Sequence, residues 1–159
     1  MNRSLIVIAL STAILAGPAS AEMYLGAGVG AAKTDVHKTS WKLYGGFQFD
    51  PIWGIEAAYT DLGRYGGSSV EARSLAGTVT QPFAERWSLL AKLGASSNRS
   101  NFAGASNHTD LLAGLGIGYN LAKNIGVRLE YEDFGKLSNG STINNSRGSN
   151  WGLSMKYGF

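Results

Sequence analysis

The sequence contains no cysteine, and its 159 residues include only three prolines. A domain of this size without disulfides must be held together by its own packing or by a membrane. No segment contains about 18 consecutive apolar residues, which excludes a membrane-spanning helix. The formal net charge is only +3, far from the strongly basic balance of a nucleic-acid-binding protein. What is abundant is glycine, with 22 residues, together with four Trp, seven Tyr and six Phe, a composition typical of a β protein with many turns.

Residues 1–21 have the pattern of a secretory signal peptide. Arg3 provides a positive charge, the mostly apolar run Leu5–Gly17 follows, and Ala19-Ser20-Ala21 is a small-residue cleavage site. The run has 13 residues, too few for a helix that crosses a bilayer. We therefore expect one domain over residues 22–159, with a formal charge of +2 once Arg3 is removed from the total of +3.

Apolar and polar residues alternate with a period of two in eight segments, which predicts eight β-strands. The second, fourth and sixth connections are short, whereas the others are longer and polar. Short turns at one end and long loops at the other are typical of a transmembrane barrel. The fold class predicted is an all-β, eight-stranded antiparallel up-and-down barrel with strands over residues 23–32, 41–49, 54–62, 70–81, 87–97, 109–121, 125–134 and 150–159.

A soluble lipocalin-like barrel has the same alternation with the apolar face inward, so alternation alone does not decide between the two. Three features favour a membrane barrel. Aromatic residues of the apolar face lie at strand ends, as in interfacial girdles, whereas mid-strand positions are small. Trp41 and Phe49 are eight residues apart, which covers roughly 20 Å of a tilted strand, close to the apolar band. Many glycines on the polar face suit a narrow lumen better than a solvated surface.

The last strand resembles the outer-membrane assembly signal, a terminal aromatic with apolar residues at every second preceding position. In this sequence these positions are Trp151, Leu153, Met155, Tyr157 and Phe159, which we call the assembly stripe.

Further residues resemble the OmpA-like transmembrane domains. The segments 44–51 and 54–63 look like the second hairpin of that domain, and 125–131 looks like its seventh strand. The resemblance runs from about Met23 to Phe159, an extent closer to free-standing small barrels such as OmpX than to full-length OmpA. It implies a Gram-negative outer-membrane location with periplasmic termini, extracellular long loops, outer-membrane lipid and assembly machinery as partners, and a monomeric state.

The same resemblance implies a charged gate inside the barrel for small-ion leakage. Glu56 and Arg128 match that gate, and Lys92 matches an interior arginine. Thr78, Gly118 and Gly28 stand where the family has charged residues, so half of the gate is absent.

Charged residues on the inner face balance, four cations against four carboxylates. Buried charges need partners, so the simplest interpretation is an ion-pair network that fills the narrow lumen. A conducting path through the same charges is the alternative. The predicted network consists of Lys42, Glu56, Lys92, Asp110, Arg128, Glu130, Glu132 and Lys156.

The long-loop end is basic, which suggests either contact with lipopolysaccharide phosphates or ordinary solvated loops. The residues predicted for such contact are Arg64, Arg73, Arg99, Lys136 and Arg147. A catalytic or metal site is not expected, because the two histidines, His37 and His108, lie in separate loops without a definite third partner. No cofactor is expected either.

The function predicted is therefore a structural and interaction role in the outer membrane, with loops that contact lipopolysaccharide or host surfaces. The second hypothesis is a porin-like channel of low conductance through the charged lumen. An enzymatic role is not predicted.

Overall fold

A computed structural model of the chain describes residues 22–33, 37–65, 68–100, 106–136 and 147–159, so the predicted signal peptide lies outside it. The described chain consists of strands joined by turns. The strands are β1 (Glu22–Lys33), β2 (His37–Gln48), β3 (Trp53–Tyr65), β4 (Ser68–Pro82), β5 (Trp87–Ser100), β6 (Ser106–Asn120), β7 (Ile125–Lys136) and β8 (Arg147–Gly158).

Each strand pairs antiparallel with its neighbours in the sequence, and β8 pairs with β1, which closes the barrel. The backbone N–H of Phe159 continues this closure by donating to the carbonyl of Met23 at 2.9 Å. The predicted fold class and its eight strands are confirmed. We call the end with turns 49–52, 83–86 and 121–124 the short-turn end, and the opposite one the long-connection end.

Within the described residues, no helix is long and apolar enough to cross a membrane.

The strands extend further towards the long-connection end than the alternation predicts. β2 begins at His37 instead of residue 41, and β8 begins at Arg147 instead of residue 150. The hydrogen-bonded ladder needs only backbone groups, so it continues after the outward residues become polar. Alternation therefore marks the apolar band, not the full strand.

The two faces of the wall separate by sequence parity. Every fully buried residue of the described chain has an even number and points into the lumen, and the exposed large apolar residues of the strands have odd numbers. The apolar face is therefore the outer one, as predicted for a membrane barrel. Leu115, 67% exposed, and Leu25, 57% exposed, are stable in such positions only against lipid or a partner surface.

Candidate functional site

The centre of the lumen holds a network of six charges, three cations and three carboxylates. Each lies at an inward position of its strand, and each is almost fully buried. Glycines on the neighbouring strands leave space for these charged side chains. A Cβ at Gly114 would lie 2.7 Å from Cγ of Lys92, and one at Gly116 would lie 3.0 Å from Cγ of Glu130. The lumen network consists of Lys42, Glu56, Lys92, Arg128, Glu130 and Glu132.

Lys92 is the hub of this lumen network. Its Nζ lies 2.8 Å from Oε1 of Glu56, 2.7 Å from Oε1 of Glu130 and 3.1 Å from Oε1 of Glu132. Lys42 reaches the same three carboxylates, most closely Glu132 at 2.7 Å. Because each carboxylate is shared by two or three cations, the loss of one side chain affects the whole cluster.

Arg128 forms the layer below, towards the short-turn end. Its Nη1 donates to Glu56 at 2.9 Å and its Nη2 to Glu130 at 2.6 Å. The guanidinium carbon lies 4.8 Å from the centroid of the Tyr44 ring, and the hydroxyl of Tyr24 donates to Glu56 at 3.1 Å. Two tyrosines thus fill the lumen beneath the charges and hold them in place.

Two residues predicted for this network lie outside the six-charge cluster. Asp110 pairs in register with Ser96, whereas Lys92 pairs with Gly114 on the same strand as Asp110. Asp110 is four residues from Gly114 and therefore lies about 13 Å further along the strand, towards the long-connection end. Lys156 lies nearer the short-turn end, with its Nζ 4.9 Å from the centroid of the Tyr24 ring. The cluster therefore has three charges of each sign instead of four. An odd or even residue number predicts whether a side chain points inward, but not its position along the barrel axis.

Three carboxylates of the network, Glu56, Glu130 and Glu132, have oxygens within 4.8 Å of one another and could in principle hold a metal ion. The ammonium groups of Lys42 and Lys92 lie where such an ion would bind. The charge of this set is already balanced, so the arrangement is that of an internal salt-bridge cluster.

An apolar layer covers the network on the side of the long-connection end. Leu62 and Leu112 are 1% exposed and Phe134 is 0% exposed, and all three belong to one buried cluster. This layer was not predicted from the sequence, because the inner face was expected to carry charges, polar groups and glycine. The remaining members of the cluster are Ala32, Val70, Ala72 and Ala76.

A repeated motif positions two of these apolar side chains. The sequences 61–63 and 133–135 read Asp-Leu-Gly and Asp-Phe-Gly, and they lie on β3 and β7, half a barrel apart. In each copy the ladder has an irregularity, the glycine has a positive φ (90° at Gly63, 67° at Gly135), and the glycine N–H donates to the aspartate Oδ1. We call these two motifs the Asp–Gly corners. Their repetition, 72 residues apart, was the available signal for the apolar layer.

Polar contacts close the lumen around the apolar layer. The hydroxyl of Ser40 donates to Asn150 at 2.6 Å, and Nδ2 of Asn98 donates to the carbonyl of Phe134 at 3.0 Å. Two spaces lined by described inner residues have volumes of about 40 and 10 Å³. Spaces of this size are suited to isolated buried water molecules.

The outer face has aromatic pairs at both ends of the apolar band. Trp41 and Tyr59 lie 5.3 Å apart near the long-connection end, and Trp87 and Tyr119 lie 4.7 Å apart near the short-turn end. Such pairs form the girdles of a transmembrane barrel. All five residues of the predicted assembly stripe point outward and are exposed: Trp151, Leu153, Met155, Tyr157 and Phe159.

Of the five residues predicted for lipopolysaccharide contact, the structure describes the side chains of two. The side chains of Arg73 and Arg99 are exposed on the outer face near the long-connection end, and Arg99 pairs in register with Glu71. The side chains of Arg64, Lys136 and Arg147 lie outside the described part of the chain, as do those of His37 and His108.

Comparison with solved structures shows the same fold in small outer-membrane barrels. Ail, the attachment invasion locus protein of Yersinia pestis, is 19% identical, with 87% of this chain and 97% of that chain covered and a TM-score of 0.58. Neisserial surface protein A is 14% identical, with 87% and 97% covered and a TM-score of 0.63. OprG from Pseudomonas aeruginosa is 11% identical, with 90% and 98% covered and a TM-score of 0.61.

No curated protein sequence matches the chain significantly. The family described as outer membrane protein beta-barrel domain matches residues 4–159, nearly the entire sequence. The closed topology and the outward apolar face agree with the family match. The chain therefore belongs to the outer-membrane protein β-barrel family.

Proposed function

We propose that this protein is a barrel with a closed lumen that has a structural and interaction role in the Gram-negative outer membrane. Its termini would lie in the periplasm, and its long connections would face the exterior, where they contact lipopolysaccharide or host surfaces. The observation that carries the proposal is the filled lumen, in which the six-charge network and the apolar layer are stacked.

The energetics of the lumen favour closure over conduction. An ion path would have to separate buried ion pairs, whose attraction is strong in an interior of low dielectric constant. It would also have to displace Phe134 and Leu62, which are packed without exposed surface. We infer no catalytic step, because the three central carboxylates are each held by cations.

Recording from planar bilayers that contain the refolded protein tests the closed lumen. We expect no steady conductance from the natural protein and none from Glu56→Ala, which leaves the apolar layer intact. The double variant Leu62→Ala/Phe134→Ala serves as an opened control, since it removes two blocking side chains. Steady single channels from the natural protein, altered by Glu56→Ala, would support the low-conductance channel instead.

Contact with lipopolysaccharide is supported by the exposed arginines of the outer face, because guanidinium groups bind phosphate oxygens in a bidentate manner. The variant Arg64→Ser/Arg73→Ser/Arg147→Ser should co-purify with less lipopolysaccharide than the natural protein. Lys123→Ser is the control, because Lys123 is an exposed cation in a short turn at the opposite end. Equal amounts in all three proteins would contradict this part of the proposal.

A further inference from the structure

The outer wall is grooved along one side, across strands β1 to β4. In register, Leu25 lies beside Gly45, Gly45 beside Ala57, and Ala57 beside Leu75. Two small residues thus lie between two leucines, whose positions are three strand spacings, about 14 Å, apart. Phe47 and Ile55 extend the depression towards the short-turn end. We call it the Gly45 groove.

The Gly45 groove is large enough for part of a lipid. Its volume is about 630 Å³, within the range of sites that hold small ligands. Its surface is almost entirely apolar, and on β3 its lining runs from Ile55 to Ala57, about 7 Å along the strand. A hydrocarbon chain aligned with the strands fits this shape and chemistry.

A cationic side chain, Arg73, lies just beyond the long-connection end of the groove. Tyr59 and Arg73 are in register, one pleat beyond Ala57 and Leu75 on the same outward face. Arg73 is exposed and forms no ion pair with another described residue, although Glu71 is near. Glu71 faces Arg99 in register on the neighbouring strand, so its charge is partly engaged. An anionic headgroup complements the remaining guanidinium.

A second outer groove provides a comparison within the same molecule. It has about 650 Å³ and is lined by apolar residues that include Ala91 and Leu115. Its long-connection end is closed by the Tyr131 and Trp151 rings, 5.1 Å apart, and the next outward residue of β7 is the acidic Asp133. The two grooves are alike in size and apolarity, but the Gly45 groove has an arginine at the next outward position beyond its lining, and the second groove does not.

We propose that the Gly45 groove and Arg73 together bind one phosphate-bearing lipid, with an acyl chain in the groove and the phosphate on the guanidinium. This site deepens the proposed interaction role and rests on it for the location in the membrane. With the long connections outside the cell, the headgroup would belong to the outer leaflet.

Native mass spectrometry of the detergent-solubilised barrel tests the site with dimyristoyl phosphatidic acid as the probe. We expect one lipid to be retained preferentially. Dimyristoylglycerol lacks the phosphate, and dibutyryl phosphatidic acid lacks the long chains, so both should be retained less. Equal retention of all three probes would overturn the proposal.

Matched variants locate the lipid. Arg73→Ser should reduce retention by about threefold or more, as expected for loss of one exposed charge-assisted contact. Ala57→Leu should reduce it similarly by filling the floor of the groove. Lys123→Ser removes an equal charge elsewhere, and Ala91→Leu fills the second groove, so both should retain the probe. Loss of binding in these controls as well would show unspecific attraction and refute the site.

Folding of each variant is checked by its shift in gel mobility on boiling. If Ala57→Leu fails this check, Gly45→Val replaces it, because the close neighbour of a Cβ there is the flexible end of Leu25, at 2.9 Å, and the Tyr24 carbonyl lies at an ordinary 3.6 Å. The result is independent of the closed lumen. Channel activity with intact, groove-dependent lipid retention would refute the proposed closure alone, and a silent bilayer with no retention would refute the lipid site alone.

Discussion

Replacement of the hub of the lumen network should destabilise the barrel strongly. Lys92→Met removes an ammonium group that contacts three carboxylates within 3.1 Å and leaves only Lys42 and Arg128 to balance them. Breaking a buried ion pair by removing one partner costs about 3–5 kcal/mol. That is a large share of the roughly 5–15 kcal/mol that stabilises a typical domain.

The physical cause can be separated from lost packing by a compensating change. Lys92→Met/Glu132→Gln removes one charge of each sign and leaves two cations with two carboxylates, so we expect it to recover at least half of the loss. Lys123→Met, in an exposed turn, should change the free energy of unfolding by less than about 0.5 kcal/mol.

Urea unfolding of the refolded barrel in lipid vesicles, followed by tryptophan fluorescence, measures these free energies. The reasoning is refuted if Lys92→Met costs under about 1 kcal/mol, or if the double variant is less stable than the single one. The first result would mean that water or lipid headgroups solvate the lumen charges. The second would mean that the network acts through packing rather than through charge balance.

Three further predictions concern other layers of the molecule. Phe134→Ala should cost about 3–5 kcal/mol in urea unfolding because it opens a cavity in the apolar layer, whereas the lipid-facing Leu129→Ala on the same strand should cost clearly less. Gly135→Ala should cost about 1–2 kcal/mol, since φ is 67° there and the new methyl group meets Asp110. Gly77→Ala should be neutral, because the new methyl group would make only an ordinary contact with the Leu93 carbonyl, at 3.8 Å. Phe159→Ala should lower the amount of heat-modifiable barrel in the outer-membrane fraction, while Leu121→Ala, equally apolar at the same end, should not; equal amounts would refute the role of Phe159 in assembly.

The strands were predictable because a lipid-facing wall imposes a strict period of two. Trp151 to Phe159 follow it without exception, and one apolar face suffices to place a strand. The ends of β2 and β8 were misplaced since polar outward residues near the water interface interrupt the pattern while the backbone ladder continues.

The lumen was predictable only as a list of inward charges. Parity identifies Lys92 and Asp110 alike as inward, but the register between strands decides that one meets Glu56 and the other lies beside Ser96. The apolar layer was missed because Leu62 and Phe134 interrupt the polar inner face and their partners are distant in sequence. The Asp–Gly corners show that a short repeat can reveal such a layer when the two copies lie on opposite walls.

The pairing of β1 with β8 has a consequence for biosynthesis. β1 emerges first, and one of its edges stays without a partner until the last strand arrives. An unpaired edge invites aggregation or pairing with another chain. Any product interrupted before β8 would therefore keep this edge open, and it would also lack the outward aromatic stripe. Closure of the ring therefore requires a full set of strands, because only β8 pairs with the free edge of β1.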